Sequence, residues 1–163
     1  MNIGLMFRLL RRFASRRVRS PRDRALAALR RRDFAVAEAE LTALLAAPAS
    51  PGERAFLSNK RGVARMGLHL PDAARSDFES ALAAVATFAP ALTNLGNLAL
   101  EAGDIDGAIA LYEAALRSDP ENAVACLNLG VAYKRSGRIE ESVRSLRRAQ
   151  VLERPKFARR FRL

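Results

Sequence analysis

The sequence predicts an all-α solenoid of about four helix-turn-helix repeats. Three observations carry that expectation. Ala is abundant, Gly and Pro are modest, and strand-like alternation is scarce, a balance that favours helix. A set of residues recurs every 34 positions, and a fixed period of roughly 20–50 residues marks a repeat architecture. Within a repeat, two apolar stripes of helical spacing flank one tight-turn residue.

The first unit spans about 18–54. Ser20-Pro21-Arg22-Asp23 reads as a helix start, with a capping serine and a proline in the first turn. A helix over 21–31 and a second over 34–46 follow. Ala37, Leu41 and Leu44 of the second helix hold the places that Ala74, Phe78 and Ala81 take 37 positions on, and the three extra residues fall in the loop AAPASPGE. The match is loose, as befits a terminal repeat supported on one side.

The second unit, 55–88, repeats Gly62, Ala74, Phe78 and Ala81 at Gly96, Ala108, Tyr112 and Ala115. His69 stands where the later units carry a turn glycine. Histidine tolerates the left-handed region better than most residues, so His69 is read as a turn residue and not as a ligand or base. Arg61 and Arg65 fall in the core stripe. An unpaired buried guanidinium is costly, so either each meets a carboxylate, with Asp77, Glu79, Glu38 and Glu40 as candidates, or a shift of register exposes both.

The third unit, 89–122, is the clearest. Its helices are expected over about 90–101 and 105–117. Leu92, Leu95 and Ala99 form one stripe, and Ile109, Tyr112 and Leu116 the facing one. Gly96 and Ala108 leave room for close helix approach. Gly103 ends the first helix, Asp104 caps the second, and Asp119-Pro120 closes the unit. The fourth unit, 123–156, repeats Asn128, Leu129, Gly130, Gly137, Ile139 and Ala149 at the same offset. Cys126, the one cysteine, lies in its apolar stripe as a small core residue. Glu140 and Glu141 suit a helix first turn.

These positions resemble the tetratricopeptide repeat family. The third unit matches nearly throughout, at Leu92, Leu95, Gly96, Ala99, Ala108, Tyr112, Ala115 and Pro120. The fourth matches at Cys126, Leu129, Gly130, Tyr133, Ser142, Leu146 and Ala149, with Pro155 one residue late. The resemblance covers 55–153 well and 20–54 loosely. It implies a concave groove, lined by the first helix of each unit, that binds an extended segment or helix of a partner protein. It also implies that Asn94 and Asn128, at equivalent places, belong to an asparagine ladder that grips a peptide backbone. A carboxamide offers an acceptor and two donors for that purpose. The alternative is a hydrogen bond to a neighbouring repeat. Asn97 and Arg135 share the face of Asn94 and Asn128, while Lys60 takes the asparagine place in the second unit with Asn59 and Phe56 nearby. The Lys–Asn–Asn–Lys–Arg set by which a related subclass clamps acidic chaperone tails cannot be assembled here, so no such binding is inferred.

The net charge of +11 sits at the ends. Residues 1–32 carry eleven arginines against Asp23, and 144–163 carry seven arginines and one lysine against Glu153, while 33–143 hold nine basic and fifteen acidic residues. In the segment 1–19, Ile3, Met6, Phe7, Leu10 and Phe13 make one helical face, and Arg8, Arg11 and Arg12 cover the rest. Such a basic amphipathic helix suits an anionic membrane surface, a partner's groove, or the open end of the solenoid. The tail 154–163 interleaves Phe157 and Phe161 with Arg159, Arg160 and Arg162. It suits an acidic partner within a larger assembly. The competing reading is a nucleic-acid-associated accessory protein anchored through both ends.

No catalytic, metal-binding or cofactor-binding constellation emerges. One histidine excludes most histidine-based triads and metal clusters, and no Gly-rich phosphate loop occurs. The expectation is a non-enzymatic protein-interaction scaffold. With one cysteine, no convincing secretory signal and no run of about 20 apolar residues, it reads as cytoplasmic, able to lie peripherally on the inner face of a membrane.

Overall fold

Four turns of one geometry set the architecture. A computed structural model describes residues 20–153 as eight α-helices: α1 (Pro21–Arg30), α2 (Phe34–Leu45), α3 (Pro51–Gly67), α4 (Pro71–Ala84), α5 (Ala89–Glu101), α6 (Ile105–Ser118), α7 (Ala123–Arg135) and α8 (Ile139–Glu153). Among the described residues none forms a strand, and no helix is long and apolar enough to cross a membrane. The helices pair as hairpins α1/α2, α3/α4, α5/α6 and α7/α8; the second helix of each packs on the first helix of the next, and α5 also meets α7. Contacts that run from neighbour to neighbour define a solenoid.

Each hairpin reverses through one left-handed residue: Arg32 and His69 at φ 60°, Gly103 at 84° and Gly137 at 79°. The next amide then donates back across the turn, from Asp33 to the Ala28 carbonyl, Leu70 to Arg65, Asp104 to Ala99 and Arg138 to Tyr133. These bonds satisfy carbonyls that the ending helix leaves open. His69 is thus the turn residue that the repeat predicts, and Arg32, 37 positions earlier, does the same in the first unit, where the residue type gives no sign of it. Helix starts are equally local. Ser20 and Asp23 form a reciprocal capping box, and Asp104 and Asn122 accept from the amides of Gly107 and Ala125. Pro120 lies in the turn before α7, not at its first residue.

The helices close on each other where the repeat places glycine. A Cβ on Gly96 would lie 2.6 Å from the Tyr112 ring, and one on Gly62 would collide with Phe78 in the same way. Tyr112 and Phe78 are almost fully buried. Ala99, Ala108, Ile109 and Tyr112 pack with Leu129, Ala132 and Tyr133 of the next unit, and Cys126 is buried as its stripe predicts. On α8 the counterparts of Ile105, Ile109 and Tyr112, namely Ile139, Val143 and Leu146, stay open, with Ile139 55% exposed.

The second unit replaces apolar packing with charge. Asp77 is 1% exposed. Its carboxylate accepts from Arg61 Nη2 at 2.6 Å and from Arg61 Nε at 3.1 Å, and Arg65 Nη1 stands 3.1 Å from its other oxygen. Arg65 Nη2 also donates to Glu38 at 3.0 Å. Both arginines are about one-fifth exposed, so pairing, not a register shift, resolves them. Glu40 pairs with Arg24 instead, at 2.8 Å.

Candidate partner-binding groove

The first helices of units two to four, α3, α5 and α7, present one connected polar line. Asn59 of α3 is buried, and its Oδ1 accepts from Asn94 Nδ2 of α5 at 2.9 Å. One turn further on α5, Asn97 Oδ1 accepts twice: from Asn128 Nδ2 of α7 at 2.7 Å and from Tyr112 Oη at 2.8 Å. Arg135 Nη1 donates to the Leu100 carbonyl at 3.2 Å, at the end of α5 where open carbonyls and the helix dipole favour a cation.

Two hollows follow this line. One of about 160 Å³ is lined by Val63, Met66, Phe78, Asn94, Asn97 and Glu101. The other, of about 580 Å³, is lined by Asn97, Leu100, Glu101, Tyr112, Asn128, Val131 and Arg135. Asn97 and Glu101 line both of them. The structure therefore brings Asn94, Asn97, Asn128 and Arg135 together, with Asn59 beneath them. Phe56 and Lys60 take a separate place beside α1. The Phe56 ring packs on the core of the first unit, under the Arg22 guanidinium at 4.4 Å and Lys60 Nζ at 5.5 Å. Arg22 is held there by both oxygens of Glu53.

Of the two readings of Asn94 and Asn128, the hydrogen bond to a neighbouring repeat is the one this geometry contains. Each gives one Nδ2 hydrogen to the preceding unit and makes no other side-chain hydrogen bond among the described residues. Each therefore keeps a carbonyl oxygen and a second donor on the hollow it lines.

Sequence reasoning missed Tyr112, Glu101 and Val131 as groove residues. Tyr112 reads correctly as core, but only the fold shows its hydroxyl reaching Asn97. Burial, with Glu101 close by, pushes that hydroxyl up to about 12. Val124, Leu127 and Val131 are 56%, 42% and 37% exposed along one face of α7. Their signal was a helix with more apolar residues than its buried stripe needs.

Burial, with Asp119 adding to it and Arg148 opposing it, pushes the Cys126 thiol above its usual range, the opposite of what a nucleophilic thiolate needs. Among these residues no group of three His, Cys, Asp or Glu is placed to hold a metal. The proposed terminal contacts Arg8, Arg11, Arg12, Arg159, Arg160 and Arg162 lie outside the described residues.

Left-handed turns at matching offsets, glycines under aromatic rings, and an open face on alternate helices define a helix-hairpin repeat protein. The chain belongs to the tetratricopeptide repeat family: models of that repeat match residues 59–123 and 99–154, together more than half of the chain. No curated protein sequence matches it. Among solved structures it is similar to MamA, with 20% identity, 98% of each chain covered and a TM-score of 0.69. It is similar to YrrB, described as a TPR protein with an unusual peptide-binding site, with 20% identity, 84% of this chain and 69% of that chain covered, and a TM-score of 0.63. The second TPR of Spaghetti (RPAP3), bound to the HSP90 peptide SRMEEVD, shares 19% identity over 63% of this chain and 94% of its own, with a TM-score of 0.59. At these identities the likeness concerns the fold.

Proposed function

We propose that the chain is a non-enzymatic interaction scaffold whose α3–α5–α7 face holds an extended segment of a partner protein. The observation that carries this reading is the pair Asn94 and Asn128. Each is fixed by one bond to the preceding unit, and each offers its remaining donor and acceptor on one of two neighbouring hollows that share Asn97 and Glu101. A carboxamide so held can pair with a backbone C=O and N–H whatever the side chains of the segment. Val124, Leu127 and Val131 supply apolar contact beside it. Peptide binding by YrrB and by the second TPR of Spaghetti, proteins of the same fold, supports the choice of ligand class. The basic ends, through Arg8, Arg11, Arg12, Arg159, Arg160 and Arg162, would add attachment to a larger or membrane-associated assembly.

The test is affinity purification of partners from the native cell with the full chain, then repeated with Asn94→Ala/Asn128→Ala. Loss of the captured partner is expected. A partner held equally well by the double variant would remove the groove reading, and a partner lost only on deleting 1–19 and 154–163 would transfer the function to the ends.

A further inference from the structure

The opposite side of α3 carries a second polar feature. At about 100° per residue, Arg54, Ser58 and Arg61 fall on one side of α3, and Phe56, Lys60 and Val63 on the other. The first set forms the floor of a groove of about 630 Å³ between α2 and α4, whose walls include Thr42, Leu45, Ser80 and Ala84.

The repeat itself shows how unusual that floor is. Thirty-four positions on, Arg54, Ser58 and Arg61 become Phe88, Leu92 and Leu95; a further 34 on, Asn122, Cys126 and Leu129. Leu92 and Leu95 are buried core, and the corresponding hollow of the third unit has Leu92 in its floor. Packing alone asks for apolar residues here. The second unit instead carries a serine and an arginine, and supports the arginine with Asp77 where the third unit has Leu111. A buried ionic network is often no more stable than its apolar replacement, so stability does not account for it.

The donors in this groove are not used up. Ser58 is 3% exposed, and its hydroxyl makes no hydrogen bond among the described residues. Arg54 is exposed and forms no ion pair among them. Arg61 commits Nε and Nη2 to Asp77, while its Nη1 has only Thr42 Oγ1 at 3.4 Å. The Ser80 hydroxyl, by contrast, is committed to the Ser76 carbonyl. Asp77 and Glu38 offset Arg61 and Arg65, so Arg54 leaves the groove net positive.

We infer that this groove binds a phosphate monoester. Arg54 supplies the charge, and Arg61 Nη1, Ser58 and Thr42 supply hydrogen bonds. A phosphate monoester brings three acceptor oxygens and a charge of about −1.5 to −2, so it can use Arg61 Nη1, Ser58 and Thr42 besides Arg54, more donors than the two oxygens of a carboxylate need. The phosphate could belong to a phosphorylated side chain or to a glycerol phosphate, and the chemistry recognised is the same.

The test is an NMR titration of the full-length chain with inorganic phosphate, O-phosphoserine and glycerol 3-phosphate, at constant ionic strength because the basic ends collect anions. Saturable shifts at Ser58, Thr42 and the Arg61 side chain are expected. Arg54→Ala should weaken binding by about tenfold and Ser58→Ala by about fivefold. Among the described residues Arg54 forms no ion pair and the Ser58 hydroxyl no hydrogen bond, so both variants should fold. Arg117→Ala, in the corresponding hollow of the third unit, should leave affinity unchanged. Tighter binding of O-phosphoserine would identify a phosphorylated side chain as the source, and tighter binding of glycerol 3-phosphate a lipid headgroup or metabolite. Linear, non-saturating shifts, or affinity unchanged in both Arg54→Ala and Ser58→Ala, would overturn the inference.

Discussion

The hydroxyl of Tyr112 donates to Oδ1 of Asn97 at 2.8 Å, joining the buried stripe of α6 to the floor of the groove on α5. The same oxygen accepts from Asn128 of the next unit. One carboxamide thus couples core packing, inter-repeat contact and the candidate binding face. Tyr112→Phe keeps the ring and removes the bond. It should lower stability by about 1 kcal/mol in urea unfolding, and weaken partner binding through a less firmly held Asn97. Unchanged stability and binding would show that the bond orders nothing.

Gly96→Ala and Gly62→Ala introduce a methyl group against buried rings. Each should cost about 1–3 kcal/mol through overpacking. Gly52→Ala, with nothing within 4 Å of the added carbon, is the control. Equal unfolding midpoints for the three variants would refute the close helix approach.

Asp77→Asn leaves the part-buried Arg61 without a carboxylate, while Arg65 keeps Glu38, and should destabilise by about 3–5 kcal/mol. The triple replacement Arg61→Leu/Arg65→Ala/Asp77→Leu, copying Leu95, Ala99 and Leu111, should be neutral or stabilising, by about 1–4 kcal/mol. Denaturant titration separates the two cases. A triple variant as unstable as Asp77→Asn would mean that the network is needed for folding.

Tyr112 and Tyr133 are both pushed up to about 12, chiefly by burial, with Glu113 accepting from the Tyr133 hydroxyl. The folded chain therefore holds these protons more tightly than the unfolded chain. Their stabilisation is complete below about pH 10, the ordinary tyrosine value. It is lost as pH rises from there towards 12, at about 1.4 kcal/mol per pH unit for each tyrosine. Unfolding stability should change little from about pH 9 to 10 and fall between about pH 10 and 11, and Tyr112→Phe/Tyr133→Phe should flatten the fall.

Much of the fold was legible because its causes are local or periodic. The helices expected over 21–31, 34–46, 90–101 and 105–117 lie within one residue of those observed. Caps, left-handed turns and stripes act over a few neighbouring residues, and the 34-residue repeat copies them along the chain. His69 could be placed because its neighbours in the repeat are Gly103 and Gly137. Arg32 could not, since arginine carries no sign of a positive φ and the first unit matches loosely. Cys126 was legible as core because its stripe is continuous.

The site was legible only in part. Periodicity placed Asn94, Asn97, Asn128 and Arg135 on one face, but it is blind to which carboxamide meets which. The pairs Asn59–Asn94 and Asn97–Asn128 cross between units at offsets of 35 and 31, straddling the repeat period, so alignment of equivalent positions could not reveal them. Phe56 looked like a groove residue because its place in α3 was known, while Arg22, which covers it, comes from another unit.

By itself, then, the sequence determined the repeat, the helices over 21–31, 34–46, 90–101 and 105–117, and the turns at His69, Gly103 and Gly137, because each follows from interactions within about one helical hairpin. Tertiary structure alone decided how Arg61 and Arg65 are satisfied, where the hydroxyl of Tyr112 ends, and which donors of α3 remain unused. Those outcomes depend on distances between side chains of different units, which are set only when the units stack.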